Sequence, residues 1–264
     1  MAIIIGPAAS LKTKIGYKNL LTTTGVSVTV SDEAAGFEKE YAYDLSQWTW
    51  WKQSASGTSW LRASFASAKT ANYMTVWGHN LHSVGGSVKP QYSTDGGATW
   101  NDAAGATAPV NDKLILITFN DVTAAKWQCL VTTSSGQSVI AGIQIGEMTE
   151  MERGLRPGFA PSTIAPDVEI RAGRSENGIN IGTSVRYYGV SGTIKLTNLT
   201  PEWVRAELEP IIDHLNAGYP AVFSWDDVNY QDEAVLMWVT KQVPPVQYAN
   251  PLYMTAVIPY EGRE

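Results

Sequence analysis

Cysteine is almost absent from this chain of 264 residues, where Cys129 stands alone. An intrachain disulfide framework and a cluster of thiolate ligands are therefore both excluded. Histidine is scarce as well, with only His79, His82 and His214. Long apolar runs are missing: no segment approaches the ~20 residues that a membrane-spanning helix needs, so the sequence reads as a soluble chain. Its start, Met1 to Gly16, carries an apolar run only from Ala2 to Ile5, with the lysines after it. That order is the reverse of a secretory signal and sets the expectation of a product kept in the cell that makes it. Positive charge is in deficit too, with 19 Lys+Arg against 25 Asp+Glu and a net charge of −6. A protein that grips phosphate backbones carries the opposite sign, so nucleic-acid binding is disfavoured.

What the chain does hold is apolar residues at 44% and charged ones at 17%, a composition that buries a core rather than staying disordered. Ten Trp and twelve Tyr are the excess, residues suited to surfaces where an apolar face must also meet a partner. At ~150 residues per domain the length implies roughly two domains. Their grammar differs. Residues 19–146 read as short strands separated by turn residues: Val26, Val28 and Val30 alternate with Ser27 and Thr29, Asp95-Gly96-Gly97 marks a tight turn, and Leu114 to Ile117 form a buried run. Between Glu147 and Asp167, Gly154, Pro157, Gly158, Pro161 and Pro166 break any periodicity. Charge shifts there as well: residues 1–150 hold 10 basic and 11 acidic side chains, residues 151–264 hold 9 and 14.

The second half contains one amphipathic helix. Thr200 is its N-cap, Pro201 its first residue and Glu202 a carboxylate at the positive end of its dipole. Val204, Leu208, Ile211, Ile212 and Leu215 recur on one face, and Gly218 supplies the stop. Pro210 removes a donor in the middle, which predicts a kink or break there costing ~3 kcal/mol unless packing compensates. Strands are expected over Val185–Leu196, Ala221–Trp225, Val235–Thr240 and Leu252–Pro259. The fold expected is mainly β: an N-terminal arm (1–18), a jelly-roll β-sandwich (19–146), a linker (147–167) and a β-sheet domain with one amphipathic helix (168–264).

Chemistry is thin. The His79-Asn80-Leu81-His82 spacing lacks a third ligand nearby, so no metal site is assigned. Cys129, between Trp127 and Leu130 in a strand pattern, reads as a buried inert thiol. Neither a Gly-x-Ser-x-Gly elbow nor a phosphate-cradling loop occurs, so no catalytic residue, cofactor or enzymatic activity is expected. Asp226, Asp227, Asp232 and Glu233 flank a short segment between two strands. They read as a polar turn or, if exposed, as pore or ring-surface acids, with a glycoside-cleaving pair as the weak rival. Trp48, Trp50 and Trp60 are the candidate glycan contacts, because indole faces stack on sugar rings and residues two apart in a strand share a side; Trp51 points the other way.

Four segments of the first half carry a likeness to a known family: Asn19-Leu20-Leu21, Tyr43-Asp44-Leu45, Ala71 to Leu81, and Gln91 to Trp100. On these it resembles the galactose-binding-like, discoidin-type jelly roll, which implies the fold more strongly than a ligand. The second half, through Thr183 to Gly189, the helix Glu202 to Asn216, Tyr219 to Trp225, Trp238 and Tyr253 to Pro259, resembles the belt-type domain of distal tail and lambda-type minor tail proteins from long-tailed phages. That resemblance implies a homohexameric ring at the virion's tail tip, assembled in the host cytoplasm. It also implies contacts with copies of itself, the tail tube protein and the tail hub or other tip proteins, and passage of DNA through the centre without specific binding. Ring contacts are expected over residues 184–198 and 235–240. The alternative is a virion's carbohydrate-binding module whose sandwich touches a host surface glycan.

Overall fold

A computed structural model describes residues 13–155, 158–164, 166–227, 229–230 and 232–263. The chain is mainly β, and every strand pair among the described residues is antiparallel. Its first strand, β1 (Lys14–Gly16), is followed by the sandwich: β2 (Ser27–Val30), β3 (Trp51–Lys52), β4 (Thr58–His79), β5 (Ser87–Ser93), β6 (Asn101–Asp102), β7 (Ile115–Thr132) and β8 (Val139–Gly146). Two long strands organise it. The first half of β4 pairs with β2 and with the end of β7, and its second half pairs with β8 and the start of β7. Register shifts between Ser64 and Lys69 let the β4–β7 pair fold over, so both strands serve both layers.

Strand alternation then fills the space between the layers. Leu61 and Ala63 of β4, Trp127, Cys129 and Val131 of β7, and Ile140, Ile143 and Ile145 of β8 belong to one buried cluster. Asn19 fastens the start of the sandwich to its end: its side chain accepts from the Leu21 amide at 3.1 Å and donates to the Ile143 carbonyl at 3.2 Å.

The second unit is built from β9 (Met148–Glu150), β10 (Asp167–Arg174), β11 (Asn180–Leu199), β12 (Ala221–Ser224), β13 (Val235–Trp238), β14 (Gln247–Tyr248) and β15 (Met254–Arg263). Strand order is β10-β11-β15-β13-β12-β1-β9, with β14 added to β15. Lys14–Gly16, within the segment read as an arm, therefore belongs to this sheet. So does Met148–Glu150, within the segment read as a linker, and the two pair with each other. The sandwich is thus inserted between adjacent strands of the second sheet.

The predicted helix forms and packs on one face of that sheet as α1 (Pro201–Trp203), a π-helical stretch (Val204–Leu208) and α2 (Glu209–Asn216). Pro210 is accommodated by the wider π turn ahead of it, in which the Glu209 amide reaches the Val204 carbonyl. Period-two alternation divides the sheet's faces. Ala221 and Phe223 of β12 and Val235 and Met237 of β13 meet Leu208, Ile211 and Leu215 of the helix. Val222 and Leu236 face the other way, onto Tyr73, Trp77, Leu114 and Leu116 of the sandwich. The two units therefore share a packed interface.

Two expectations are corrected. The ring contacts expected over 235–240 do not fall on a free edge, because β13 lies between β12 and β15; along β11, residues 180–189 pair only with β10 and residues 190–199 only with β15, so the stretch 184–198 keeps an unpaired edge. The free edges of the path are β10 and β9. The strand expected at Leu252 begins at Met254 and runs to Arg263, and Leu252 is exposed.

Candidate ligand-binding surfaces

On the first half of β4 the residues opposite Leu61 and Ala63 are Trp60 and Arg62, both half-buried. The guanidinium carbon of Arg62 lies 3.6 Å from the Trp60 ring centre and 4.5 Å from that of Trp100, so one cation is held against two indoles. Its Nε donates to Gln128 Oε1 at 2.5 Å. Gln128 donates to Gln91, Gln91 donates to Asp102 at 2.6 Å, and Lys89 donates to the other oxygen of Asp102 at 3.0 Å. Cross-strand register produces this chain, because Arg62, Gln128, Gln91 and Asp102 are directly opposite one another on β4, β7, β5 and β6. The hydrogen bond from Gln91, joined by Lys89, holds the Asp102 carboxyl below its ordinary value. The result is an aromatic face held by one cation, with Lys89 and the Asp102 carboxylate at its edge.

Of the three predicted glycan contacts, only Trp60 is on this face. Trp48 and Trp50 are not in a strand: both lie in the loop before β3, Trp48 at 85% exposure, so the same-side argument fails for them. No ring contact joins either to Trp60 among the described residues. Trp51 does point inward and is fully buried, with its Nε1 donating to the Asp32 carbonyl at 3.1 Å. Trp100 was missed as a site residue. The turn signal Asp95-Gly96-Gly97 could have placed it, since the turn returns the chain beside β5: Asp95 accepts from Ser93 Oγ at 2.7 Å and from the Thr99 amide at 2.9 Å.

The acids of the second unit behave mostly as turn residues. Asp227 pairs with Lys14 at 2.6 Å. Asp226 accepts from the Asn229 amide at 3.0 Å and its side-chain nitrogen at 2.9 Å. Glu233 takes the Trp225 indole N–H at 2.6 Å. Asp226 and Asp227 are buried and Glu233 half-buried, which leaves Asp232 as the exposed member of the four. No group of three or more ligands suited to a metal ion occurs among the described residues.

The lone cysteine and two of the three histidines are wholly or partly withdrawn from solvent, whereas His82 is exposed. Burial pushes the Cys129 thiol far up and the His79 imidazole down to about 4. His214 is lowered by burial, its Nε2 3.0 Å from the Pro220 carbonyl. His82 Nδ1 sits 3.1 Å from the Pro109 carbonyl.

A different surface stands out beyond the second sheet. β10 and the first part of β11 form a two-stranded hairpin closed at Ser175–Ile179, with Gly178 in the left-handed region. Ile170, Ile179, Ile181 and Tyr187 on it are each more than 60% exposed.

No protein-family model matches the sequence, and no curated protein matches it. Among solved structures, a GH29 fucosidase from Ruminococcus gnavus is similar at 18% identity and TM-score 0.44, over 50% of this chain and 27% of that one. Chitosan-binding module 1 from a chitosanase/glucanase of Paenibacillus sp. IK-5 is similar at 24% identity and TM-score 0.41, over 48% and 98%. A CBM32 module of Clostridium perfringens, solved with GalNAc-β-1,3-galactose, is similar at 16% identity and TM-score 0.39, over 46% and 94%. The chain thus spans about a quarter of the fucosidase. None of these likenesses supports the tail-protein resemblance of the second half.

Proposed function

We propose that the protein is a non-catalytic, glycan-binding subunit of a virion, with the ligand face on the sandwich and the second sheet as its mount. The observation that carries this is the Trp60–Arg62–Trp100 stack. Two indoles are held in place by one cation, which is itself fixed from across the sheet, so little side-chain freedom remains to be lost when a sugar docks. Exposed Asp102 and half-buried Lys89 supply an acceptor and a donor for hydroxyl groups.

A glycan array followed by calorimetry on the strongest binder tests the reading. Trp60→Ala and Trp100→Ala are each expected to weaken binding more than tenfold, and Trp48→Ala or Trp50→Ala less than threefold. Absence of any glycan binder, or loss of binding with the loop variants alone, would overturn it.

A second reading, a homo-oligomeric ring at a phage tail tip, is favoured by the hairpin. Isolated two-stranded ribbons are marginally stable, and clustered exposed apolar residues mark contact surfaces. The free edges β10 and β9 lie at opposite ends of one sheet, which is the arrangement a head-to-tail ring uses to close. Asp232 is then the acid available to face a channel. Native mass measurement and negative-stain imaging decide: closed rings support this reading, and a monomer that persists at high concentration removes it. The two readings are compatible, since a ring can carry the sandwich outward.

A further inference from the structure

Beyond the end of β15 the second sheet narrows to two strands. Residues 180–189 of β11 pair with β10 on one side, and on the other side, in the lane that β15 fills from Val190 onward, they have no partner among the described residues. A free edge is a row of unpaired amides and carbonyls, and native sheets rarely leave one both long and apolar. This one is both. Val168 and Ile170 of β10 stand opposite Tyr187 and Val185 of β11, and Ile181 continues the same alternation, so one face of the ribbon is apolar and exposed. Glu169 and Arg171, opposite Arg186 and Ser184, make the other face polar.

The edge is complementary to itself. A second copy turned about a two-fold axis through Ser184 brings its own residues 180–189 alongside in the antiparallel sense, and residues equally far on either side of Ser184 share a face, so the alternation stays in phase. Ile181 then meets Tyr187 of the second copy. The free length also fits: Val190, where β15 takes over, comes opposite Gly178 in the turn that closes the hairpin, so neither copy's turn runs into the strand that fills the same lane in the other. Ile179 of the second copy comes opposite Gly189, at the rim of the cavity that Tyr187 and Gly189 line between the two units. Two ribbons that are each marginal alone become one four-stranded antiparallel sheet.

We infer that the protein pairs with a second copy of itself through the 180–189 edge, as a two-fold symmetric dimer with the continuous strand order β10-β11-β11-β10. The contact is isologous, the commonest kind in homo-oligomers. The outer edge of β10 and the edge of β9 stay free, so the inference is independent of the ring reading and of the Trp60 face.

The test is sedimentation equilibrium and native mass on the full chain, with a cross-link that reads the register. A dimer is expected for the wild type. Facing Cα atoms of an antiparallel pair lie about 4.5–5.5 Å apart, within disulfide reach, so Ser184→Cys is expected to give a disulfide-linked dimer on oxidation. Glu169→Cys, separated from its copy by three strand spacings of about 4.8 Å, is expected to give none; the native Cys129 is buried and does not compete. Ile181→Lys is expected to weaken dimerisation at least tenfold, and adding Tyr187→Glu, which sets opposite charges directly across the axis, to restore it. A monomer that persists at high concentration, full dimerisation in Ile181→Lys, no recovery in the charge-paired variant, or cross-linking through Glu169→Cys instead of Ser184→Cys each overturns the inference. The ring is scored separately. Closed rings without the Ser184→Cys cross-link remove the dimer and leave the ring reading standing, whereas cross-linked dimers without rings do the reverse.

Discussion

Gly142 of β8 lies directly across from Trp77 of β4, and a Cβ added to it would overlap the indole ring. The glycine is there to let the ring lie flat along the neighbouring strand at the junction between the two units. Gly142→Ala is therefore expected to cost about 1–3 kcal/mol, as overpacked cores do, and to alter the near-ultraviolet circular dichroism of tryptophan. Gly105→Ala is the control, since nothing lies within 4 Å of the position its Cβ would take; denaturant titration is expected to show a change within about 0.5 kcal/mol.

The helix start makes a second case. Thr200 Oγ1 accepts the Trp203 amide at 3.4 Å and donates to Glu152 Oε1 at 3.0 Å, while the Thr200 amide donates to Glu152 Oε2 at 2.8 Å. Thr200→Ala loses both side-chain bonds, and the expected loss is about 1–2 kcal/mol. A double-mutant cycle with Glu152→Ala should return less than the sum of the single losses, because the two residues share a bond. Full additivity would show that the Glu152 contact carries no energy.

His79 predicts a pH dependence. Burial pushes its folded-state value to about 4, against the attraction of Asp112 at 3.8 Å, whereas an unfolded histidine titrates near 6.5. Protons thus bind the unfolded chain more readily. The full stability is present above pH 6.5 and about 3 kcal/mol of it is lost as pH falls to 4. Chemical denaturation of wild type and His79→Gln at pH 7 and pH 4.5 checks this: the variant's curve should be flatter over that interval.

Cys129 is fully buried in the sandwich core, and its thiol is held in the protonated form. A thiol reagent at pH 8 is expected to leave the native protein unmodified and to react once with the denatured chain. Rapid reaction under native conditions would show that the sandwich opens.

The hairpin gives the sharpest separation of stability from assembly. Ile170→Asp with Ile181→Asp replaces two exposed side chains, so the melting temperature of the monomer should move by less than about 2 °C. If the protein forms the ring of the second reading, native mass should show the variant unable to form it. Rings that survive the pair would show that the hairpin is not the contact.

Elements whose signal is local were legible in the sequence. Thr200-Pro201-Glu202 announces a helix start, and the Leu114 to Ile117 run and the Val26, Val28, Val30 alternation announce strands. Lys14–Gly16 was not legible as part of the second sheet, because three residues carry no periodicity and their partners, Val222 to Ser224, lie about two hundred positions away. No strand is expected from the sequence over Asp167–Arg174: nearly every residue in it is exposed, so no core face marks it, although Ser175-Glu176-Asn177-Gly178 is a hairpin turn. At the candidate site, Trp60 could be picked out by its type alone. Its company could not, since Arg62, Gln128, Gln91 and Asp102 converge through registers between four strands.

The insertion between β1 and β9 makes the sandwich a cassette. Gly16 and Met148 are paired neighbours, so the whole sandwich enters and leaves through a doorway about 5 Å wide. Any module with adjacent termini fits that doorway sterically, and recombination at two short stretches of gene would exchange one inserted domain for another. Compatibility would be set by the small apolar seat of Val222, Ala234 and Leu236, which an incoming head must cover with its own counterpart of Tyr73 and Trp77.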